Sequence, residues 1–328
     1  MTLPRVKVVV LGGTITMAPS AAPGITPTLT GDDLLAQIPS LKDVAQLEVS
    51  TPFLKPGASL TFEDIAGLAK GFAQDDANGI AGIVVVQGTD TIDETSFLID
   101  LLYAGDAGVI VTGAMRGASA LSADGPGNLY AAISAAASPE TRGMGCLVAL
   151  NEELHAAASV EKMHKGLVSS FQSPDGGPLG YFLENRVRLL RKPVRRSTLK
   201  RQPSAFPSVC IIKPCLDENP ALLNALPALG YSGVVIEAMG VGHVPQQVLE
   251  AIDKVVKDIP VVLASRVPGG PVYKNTYGFP GSEIDLISRR GLIPAGWLSP
   301  QKARLLLTLC LACGMNKSDI EAAFAHFD

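Results

Sequence analysis

The chain has 328 residues, 47% hydrophobic and 18% charged, and its 31 acidic and 27 basic side chains leave a net charge of −4. That length predicts roughly two domains of ~150 residues, and the near balance of charge argues against nucleic acid or an anionic membrane as partner. Five scattered cysteines are too few for a disulfide framework, no apolar run reaches the ~20 residues of a membrane span, and "MTLPRVKVVVLGGT" enters a strand with no signal-type segment before it, so cytoplasmic residence is expected.

Taken in chain order, apolar strand-like runs alternate with helical patterns. Strands are predicted at 6–11, 46–51, 82–86, 108–112 and 145–150, with helices at 30–37, 61–74, 91–103 and 127–137. This βαβα rhythm predicts an α/β fold: a larger N-terminal domain, residues 1–190, built on a doubly wound, mostly parallel sheet. A basic, proline-containing stretch reads as a solvated linker over 191–208. The remainder, 209–328, reads as a smaller C-terminal α/β domain opening at "VCIIKP", with strands at 232–236 and 260–265 and helices at 245–257 and 300–314.

Ligands of open α/β sheets bind at the carboxyl ends of the strands, so the residues just after each strand carry the functional reading. The first strand runs into Gly12-Gly13-Thr14, where two glycines permit close backbone approach and Thr14 offers a hydroxyl. The motif is neither GxGxxG nor a P-loop, so it supports no nucleotide site. The stretch 16–30, rich in Ala, Pro, Gly and Thr, reads as a lid or a flexible insertion. Gly57-Ala58-Ser59 forms a turn with one hydroxyl. After the third strand comes Gly88-Thr89-Asp90, with Asp90 placed to cap the helix at 91–103 and Asp93 and Glu94 favourable at its positive end. That reading accounts for the three acids but not for Thr89. The fourth strand ends at Gly113-Ala114-Met115-Arg116, and "SADGPGNLY" opens a helix with Ser122 or Asp124 as its cap.

Lys162, between His155 and His164, reads in isolation as a solvated surface lysine. The two histidines lack a carboxylate partner at metal spacing, and Cys310 and Cys313 sit in an apolar helix with no second pair, so they read as core rather than as a zinc site. No metal is expected.

In combination these pieces are specific. LGGTIT, QGTDTIDET, TGAMRGASALSADGPGNLY, a lysine and then SFQSPDGGPLGY follow in an order that resembles the bacterial L-asparaginase family (asparaginase/glutaminase type). GVVIEAMGVGHVP, SRVPGG and LSPQKARLLLTL extend the resemblance over nearly the whole chain. It implies hydrolysis of the side-chain amide of asparagine, with minor activity on glutamine, by a two-domain α/β enzyme that needs no cofactor. It also implies assembly as a homotetramer or an intimate homodimer, each active site closed by the neighbouring subunit. Carried over by position, Thr14 matches the first catalytic threonine, and Thr89, Asp90 and Lys162 match the second Thr-Asp-Lys group. Gly57, Ala58 and Ser59 match the turn that receives the substrate's α-groups; Ala58 replaces a common serine, so Ser59 is the expected hydroxyl contact. Ala114, followed by Met115, matches the residue whose carbonyl touches the scissile amide, and His243 matches an asparagine donated by the partner subunit in many relatives.

The departures are as informative. Many members carry a tyrosine in the loop beside the first threonine. Here Ile25 occupies that stretch and the first tyrosine is Tyr103, which leaves Thr26, or Tyr273 or Tyr277 of a neighbouring subunit, to stand in. The family's intersubunit glutamate has no clean match; Tyr277 and Glu283 are the candidates. Gln87 and Leu11 replace a histidine and a threonine of the family motifs.

Amide hydrolysis requires a nucleophile, a proton for the leaving nitrogen and a home for the oxyanion. The expected scheme has Thr14 forming an acyl-enzyme while Lys162, oriented by Asp90 and linked through Thr89, handles the proton. A lysine serves as base only if its pKa falls well below ~10.4, and a neighbouring carboxylate opposes that. The rival scheme makes Thr89, or a water it activates, the nucleophile. Amides near 89 and 114–115 are the expected oxyanion donors. The readings weighed against an asparaginase are an amino-acid-binding sensor with a dead site and an ammonia-releasing subunit of a tRNA-dependent amidotransferase.

Overall fold

The computed structural model describes residues 2–19, 25–27, 29–195, 199, 203 and 205–328, and of 18, 19 and 25–27 the backbone alone. The chain divides into two compact units, Met1–Leu199 and Lys200–Asp328.

The first unit contains strands β1 (Arg5–Val10), β2 (Met17–Pro19), β3 (Ile25–Pro27), β4 (Gln46–Ser50), β5 (Gly82–Val86), β6 (Gly108–Thr112), β7 (Cys146–Leu150), β8 (Glu153–Ala156), β9 (Glu161–Lys162), β10 (Phe171–Gln172), β11 (Gly180–Leu183) and β12 (Arg186–Leu189). Its helices are α1 (Gly31–Ala36), α2 (Phe62–Ala77), α3 (Ile92–Leu102) and α4 (Gly125–Ala137). Eight strands form one sheet in the order β12-β11-β8-β7-β6-β5-β1-β4. The segment from β4 through β7 is parallel, and β8, β11 and β12 extend it antiparallel. The mostly parallel sheet read from the sequence is present.

β5, β6 and β7 are buried at every position, as expected for Val- and Ile-rich strands covered on both faces. Val84, Val86 and Ile110 cluster with Leu129, Ala132, Ile133 and Ala136 of α4, while alternation turns Ile83 and Val85 to the other face. Burying each such Val, Ile or Leu contributes about 1.5–3 kcal/mol before chain entropy is counted. Capping boxes at Thr30/Asp33 and Thr61/Asp64 start α1 and α2.

The antiparallel extension lies outside the predicted elements. Its hairpins turn through Asn151-Glu152 and Glu184-Asn185, all four at positive φ between 51° and 61°. A sequence search for hairpins looks for a glycine at such positions, and neither turn has one. The 16–30 stretch, read as a lid or a flexible insertion, contains paired backbone: Met17 faces Pro27 and Ala18 faces Thr26 across β2 and β3. Residues 20–24 and 28 of that stretch lie outside the described residues. The linker is not simply solvated either. Arg195 is half-buried and donates to the Tyr103 carbonyl at 2.8 Å, Arg191 bonds the carbonyls of Gly176 and Gly177, and the Leu199 amide donates to Leu101 O at 3.1 Å.

The second unit has four parallel strands in sequential order, β13 (Val209–Ile212), β14 (Gly233–Ala238), β15 (Val261–Ser265) and β16 (Ile293–Pro294), with α5 (Ala221–Ala225), α6 (Leu249–Val255), α7 (Pro300–Ala312) and α8 (Lys317–Ala325). Cys310 is fully buried on α7, and burial pushes its thiol up to about 12. Cys146, Cys210, Cys215 and Cys310 are free thiols. Among the described residues no group of three or more His, Cys, Asp or Glu could hold a metal, and no helix is long and apolar enough to cross a membrane.

Candidate active site

The order β4-β1-β5-β6 sets four strand ends side by side. The chain leaves β1 for β4 on one flank and then returns to β5 on the other, so the β1/β5 boundary is a switch point where a crevice opens. There the two Gly-Thr turns touch. A Cβ on Gly13 would lie 2.1 Å from the Gly88 amide nitrogen, and one on Gly57 would lie 2.9 Å from the Gly88 carbonyl oxygen. Thr14 and Thr89 are the next residues along the two abutting turns. A half-buried polar staple holds the third turn in place: Thr91 Oγ1 donates to Gly57 O at 3.0 Å, and the Gln87 side-chain amide donates to Thr91 Oγ1 and Gly88 O, each at 3.2 Å. Thr91 had drawn no functional reading from sequence; only its place in the repeated threonines of GTDT signals it.

Gly13 has φ 91° and ψ −178°, a conformation confined in practice to glycine. Gly13→Ala is therefore expected to lose about 2–5 kcal/mol, strain and overpacking together. Thermal or denaturant unfolding checks this; a loss below ~1 kcal/mol would show that the turns can separate cheaply.

Lys162 ends β9 and is paired with Phe171 of β10. Its Nζ donates to Thr89 Oγ1 at 3.0 Å and to Asp90 Oδ1 at 2.9 Å, and its backbone amide donates to Asp93 Oδ2 at 3.3 Å. The lysine side chain is only 18% exposed while that of Asp90 is 69% exposed, so the ammonium sits inside the rim and the carboxylate faces outward. This corrects two expectations. Lys162 is not a solvated surface lysine, and Asp90 does not cap α3. The N-cap position is Thr91, with no side-chain cap bond, because the Asp90 carboxylate reaches Lys162 instead. Asp93 and Glu94 do lie in the first turn of α3. Thr14 is half-buried in a short turn, Thr14–Thr16, closed by Thr16 Oγ1 donating to Gly13 O at 2.8 Å. Its own hydroxyl makes no hydrogen bond among the described residues.

Ala114 is buried and Met115 half-buried beyond β6. The Met115 and Arg116 amides both donate to the Asp124 carboxylate at 2.9 Å. Met115 N–H is thus committed and cannot serve as the oxyanion donor expected of it. Asp124 occupies the N-cap position of α4 but makes no cap bond, and Ser122 partners Arg116 instead, so neither caps as predicted. Gly57 is buried, while Ala58 and Ser59 are exposed.

His243, Tyr277 and Glu283 belong to the second unit. His243 Nε2 lies 3.2 Å from Glu283 Oε2, and the His243 ring meets Tyr277 and Phe279 edge-on at 5.0 Å. Glu283 is fully buried, with Oε1 accepting from the amides of Thr276 and Tyr277 at 2.8 and 2.6 Å. Both its oxygens are taken, so it is built to brace a turn rather than to meet a substrate amine. Tyr273 and Tyr277 are each 43% exposed. The side chains of Ile25 and Thr26 lie outside the described residues.

Burial works to raise the Glu283 pKa, but the Tyr277 and Thr276 amides and His243 outweigh it and hold the carboxyl below the usual 4.5. A depressed folded pKa gives stability that is present above the unfolded value and lost as pH falls through the folded one. Glu283→Gln is expected to be less stable than the parent near neutral pH, and the gap to close below the ordinary glutamate pKa. Thermal unfolding across that acid range checks it; a gap that stays constant with pH would refute the linkage.

The chain matches known proteins along nearly its whole length. Residues 5–195 match the family profile "Asparaginase, N-terminal", and 208–324 match "Glutaminase/Asparaginase C-terminal domain". The "Probable L-asparaginase periplasmic" of Haemophilus influenzae is 34% identical, covering 99% of this chain and 93% of the relative. "L-asparaginase 2" of Escherichia coli is 30% identical, covering 100% and 94%. The crystal structure of the "Probable Cytoplasmic L-asparaginase" from Campylobacter jejuni superposes with a TM-score of 0.87 at 30% identity, covering 98% of this chain and 99% of that one.

Proposed function

Because the chain belongs to the asparaginase/glutaminase family, we propose that it is an amidohydrolase that converts L-asparagine to L-aspartate and ammonia, with minor activity on L-glutamine. The observation that carries this reading is Lys162 Nζ within hydrogen-bond reach of both Thr89 Oγ1 and Asp90 Oδ1, beside the turn that bears Thr14.

The zwitterionic end of the substrate is matched by two opposite groups. The outward Asp90 carboxylate takes the α-ammonium, and the exposed Ser59 hydroxyl takes the α-carboxylate. Thr14 Oγ1 attacks the side-chain amide carbon. Its proton passes through the Thr89–Lys162 pair to the leaving nitrogen, the C–N bond breaks, and ammonia departs from an ester on Thr14. Water then cleaves the ester and regenerates the hydroxyl. The Thr89 and Ala114 amides are left to meet the oxyanion, since Asp124 holds that of Met115.

The protein acts in the cytoplasm, a reading supported by the free thiols of Cys146, Cys210, Cys215 and Cys310 and by the description of the Campylobacter relative. It works as a homodimer or homotetramer with shared sites, a reading supported by the exposed aromatic side chains Tyr273, Tyr277, Phe279 and Trp297 on the second unit. Ammonia release from L-asparagine, L-glutamine and D-asparagine tests the activity, with L-asparagine expected to be turned over fastest. Binding of asparagine without ammonia release would favour an amino-acid-binding protein instead.

A further inference from the structure

The reaction proposed above depends on where Lys162 Nζ stands, yet Lys162 is carried on a short hairpin whose tip, residues 163–167, is exposed. At the tip the Met163 amide donates to Ser170 O at 2.7 Å, so the outgoing and return strands are tied to each other. The contacts on the sheet side include the Asp93 carboxylate on the Lys162 backbone amide and the ladder to β10, where Phe171 faces Lys162 and Gln172 faces Glu161. The position of β10 is therefore inherited by Lys162. β10 is tied to the main sheet through the residue that follows it. Ser173, nearly fully buried, hydrogen-bonds through Oγ to His155 Nδ1 at 3.0 Å.

His155 is fully buried on β8, where it pairs with Val148 of the main sheet. Its Nε2 lies 3.4 Å from Glu153 Oε2. The Nδ1–Ser173 contact holds in either tautomer, the hydroxyl accepting from Nδ1–H or donating to a bare Nδ1. The contact thus spans the excursion from 155 to 173, with one end in the rigid sheet and the other at the end of the return strand. A buried imidazole is a demanding way to fill such a space, since an apolar side chain would do so without a polar group to satisfy. Its use is explained if the polar contact itself is what matters.

We propose that His155, through Ser173, is a positioning residue for Lys162: the buried His155–Ser173 hydrogen bond clasps the base of the β9/β10 hairpin and sets the lysine against Thr89 and Asp90. This rests on the catalytic reading of Lys162. Misplacement of an acid–base group by about 1 Å can cost ~10²-fold in rate, so a loosened clasp is felt in kcat, while KM, set by Asp90 and Ser59, changes little.

The test compares His155→Leu, His155→Asn and Ser173→Ala with the parent. Hydrogen exchange of the 161–172 segment is followed by mass spectrometry, with kcat and KM for L-asparagine measured alongside. His155→Leu and Ser173→Ala are expected to speed exchange across 161–172 and lower kcat about tenfold or more, with KM within about twofold. The double variant is expected to fall no further than the worse single one, because both break one bond. His155→Asn, whose side-chain amide can reproduce the Nδ1 contact, is expected to regain most of the rate. If His155→Leu fails to fold, Ser173→Ala carries the same measurement with a smaller perturbation. Unchanged exchange in the folded variants overturns the inference, as does a kcat loss that His155→Asn shares in full. Exchange reports on the clasp whether or not Lys162 is catalytic, so its failure is separable from failure of the proposed reaction, which replacement of Lys162 itself tests.

Discussion

Lys162→Met is expected to lower kcat/KM for L-asparagine by about 10²–10⁴-fold, the range for loss of a positioned acid–base group. Methionine has similar length and removes the ammonium, so little packing changes. The partner charge is not stranded: Asp90 is 69% exposed and water replaces the lost ion pair. Exposed pairs of this kind contribute at most about 1 kcal/mol, and the buried Thr89 hydroxyl loses one donor, worth roughly another. Activity should therefore collapse while the unfolding midpoint moves only modestly. Lys162→Arg separates two roles. If the lysine supplies only positive charge, arginine restores much of the rate. If it must give up and regain a proton, arginine stays as inactive as methionine, because a guanidinium is not deprotonated in proteins. Ammonia release by the two variants, with circular-dichroism melting as the folding control, gives the answer. A loss below about threefold in Lys162→Met would remove the lysine from the mechanism.

Most of the scaffold was legible because its signals are local. Runs such as GIVVV and GVIVT are long enough, and bounded clearly enough by glycines, to be read as buried strands, and the observed β5 and β6 match them residue for residue. The antiparallel flank escaped because its turns use Asn-Glu and Glu-Asn where a glycine is the expected sign. Thr14, Thr89, Asp90 and Lys162 were named from the resemblance rather than from residue chemistry. Sequence alone had assigned Asp90 to a helix cap and Lys162 to solvent, and both assignments fail for one reason. A contact across 72 residues between a strand end and a hairpin leaves no periodic trace in the chain. The same holds for Gln87 and Thr91, whose staple to Gly57 spans 34 residues, and for Asp124, which removes Met115 from the expected oxyanion donors. Glu283 fared worse as a candidate because burial is not visible in an isolated acidic residue. Only the turn folded around it shows that both oxygens are engaged.

Thr14→Ala and Thr89→Ala are expected to lose activity by at least about 10³-fold each, since residues acting as one unit fail together, but to fail at different steps. Thr14 has a hydroxyl with no hydrogen bond among the described residues, half-buried at the turn that abuts Gly88, so it is available to attack. Thr89 Oγ1 already accepts from Lys162 Nζ at 3.0 Å, which suits it to relay a proton. With Thr14 as nucleophile, the Thr14→Ala protein forms no covalent product. Thr89→Ala still carries the nucleophile but has lost the relay, so an ester that forms slowly on Thr14 is hydrolysed more slowly still and accumulates. Acid-quenched mass spectrometry after incubation with L-asparagine reads this directly, as an aspartyl adduct on the peptide containing Thr14 in Thr89→Ala and none in Thr14→Ala. The stability readouts should differ as well. Removing the Thr14 hydroxyl, which has no hydrogen bond among the described residues, leaves the melting midpoint nearly unchanged, whereas Thr89→Ala breaks a bond at a site only 6% exposed and loses roughly 1 kcal/mol. An acyl group trapped on Thr14→Ala reverses the order of the two threonines. It would make the lysine-bound hydroxyl the attacking one, and Lys162 its immediate base.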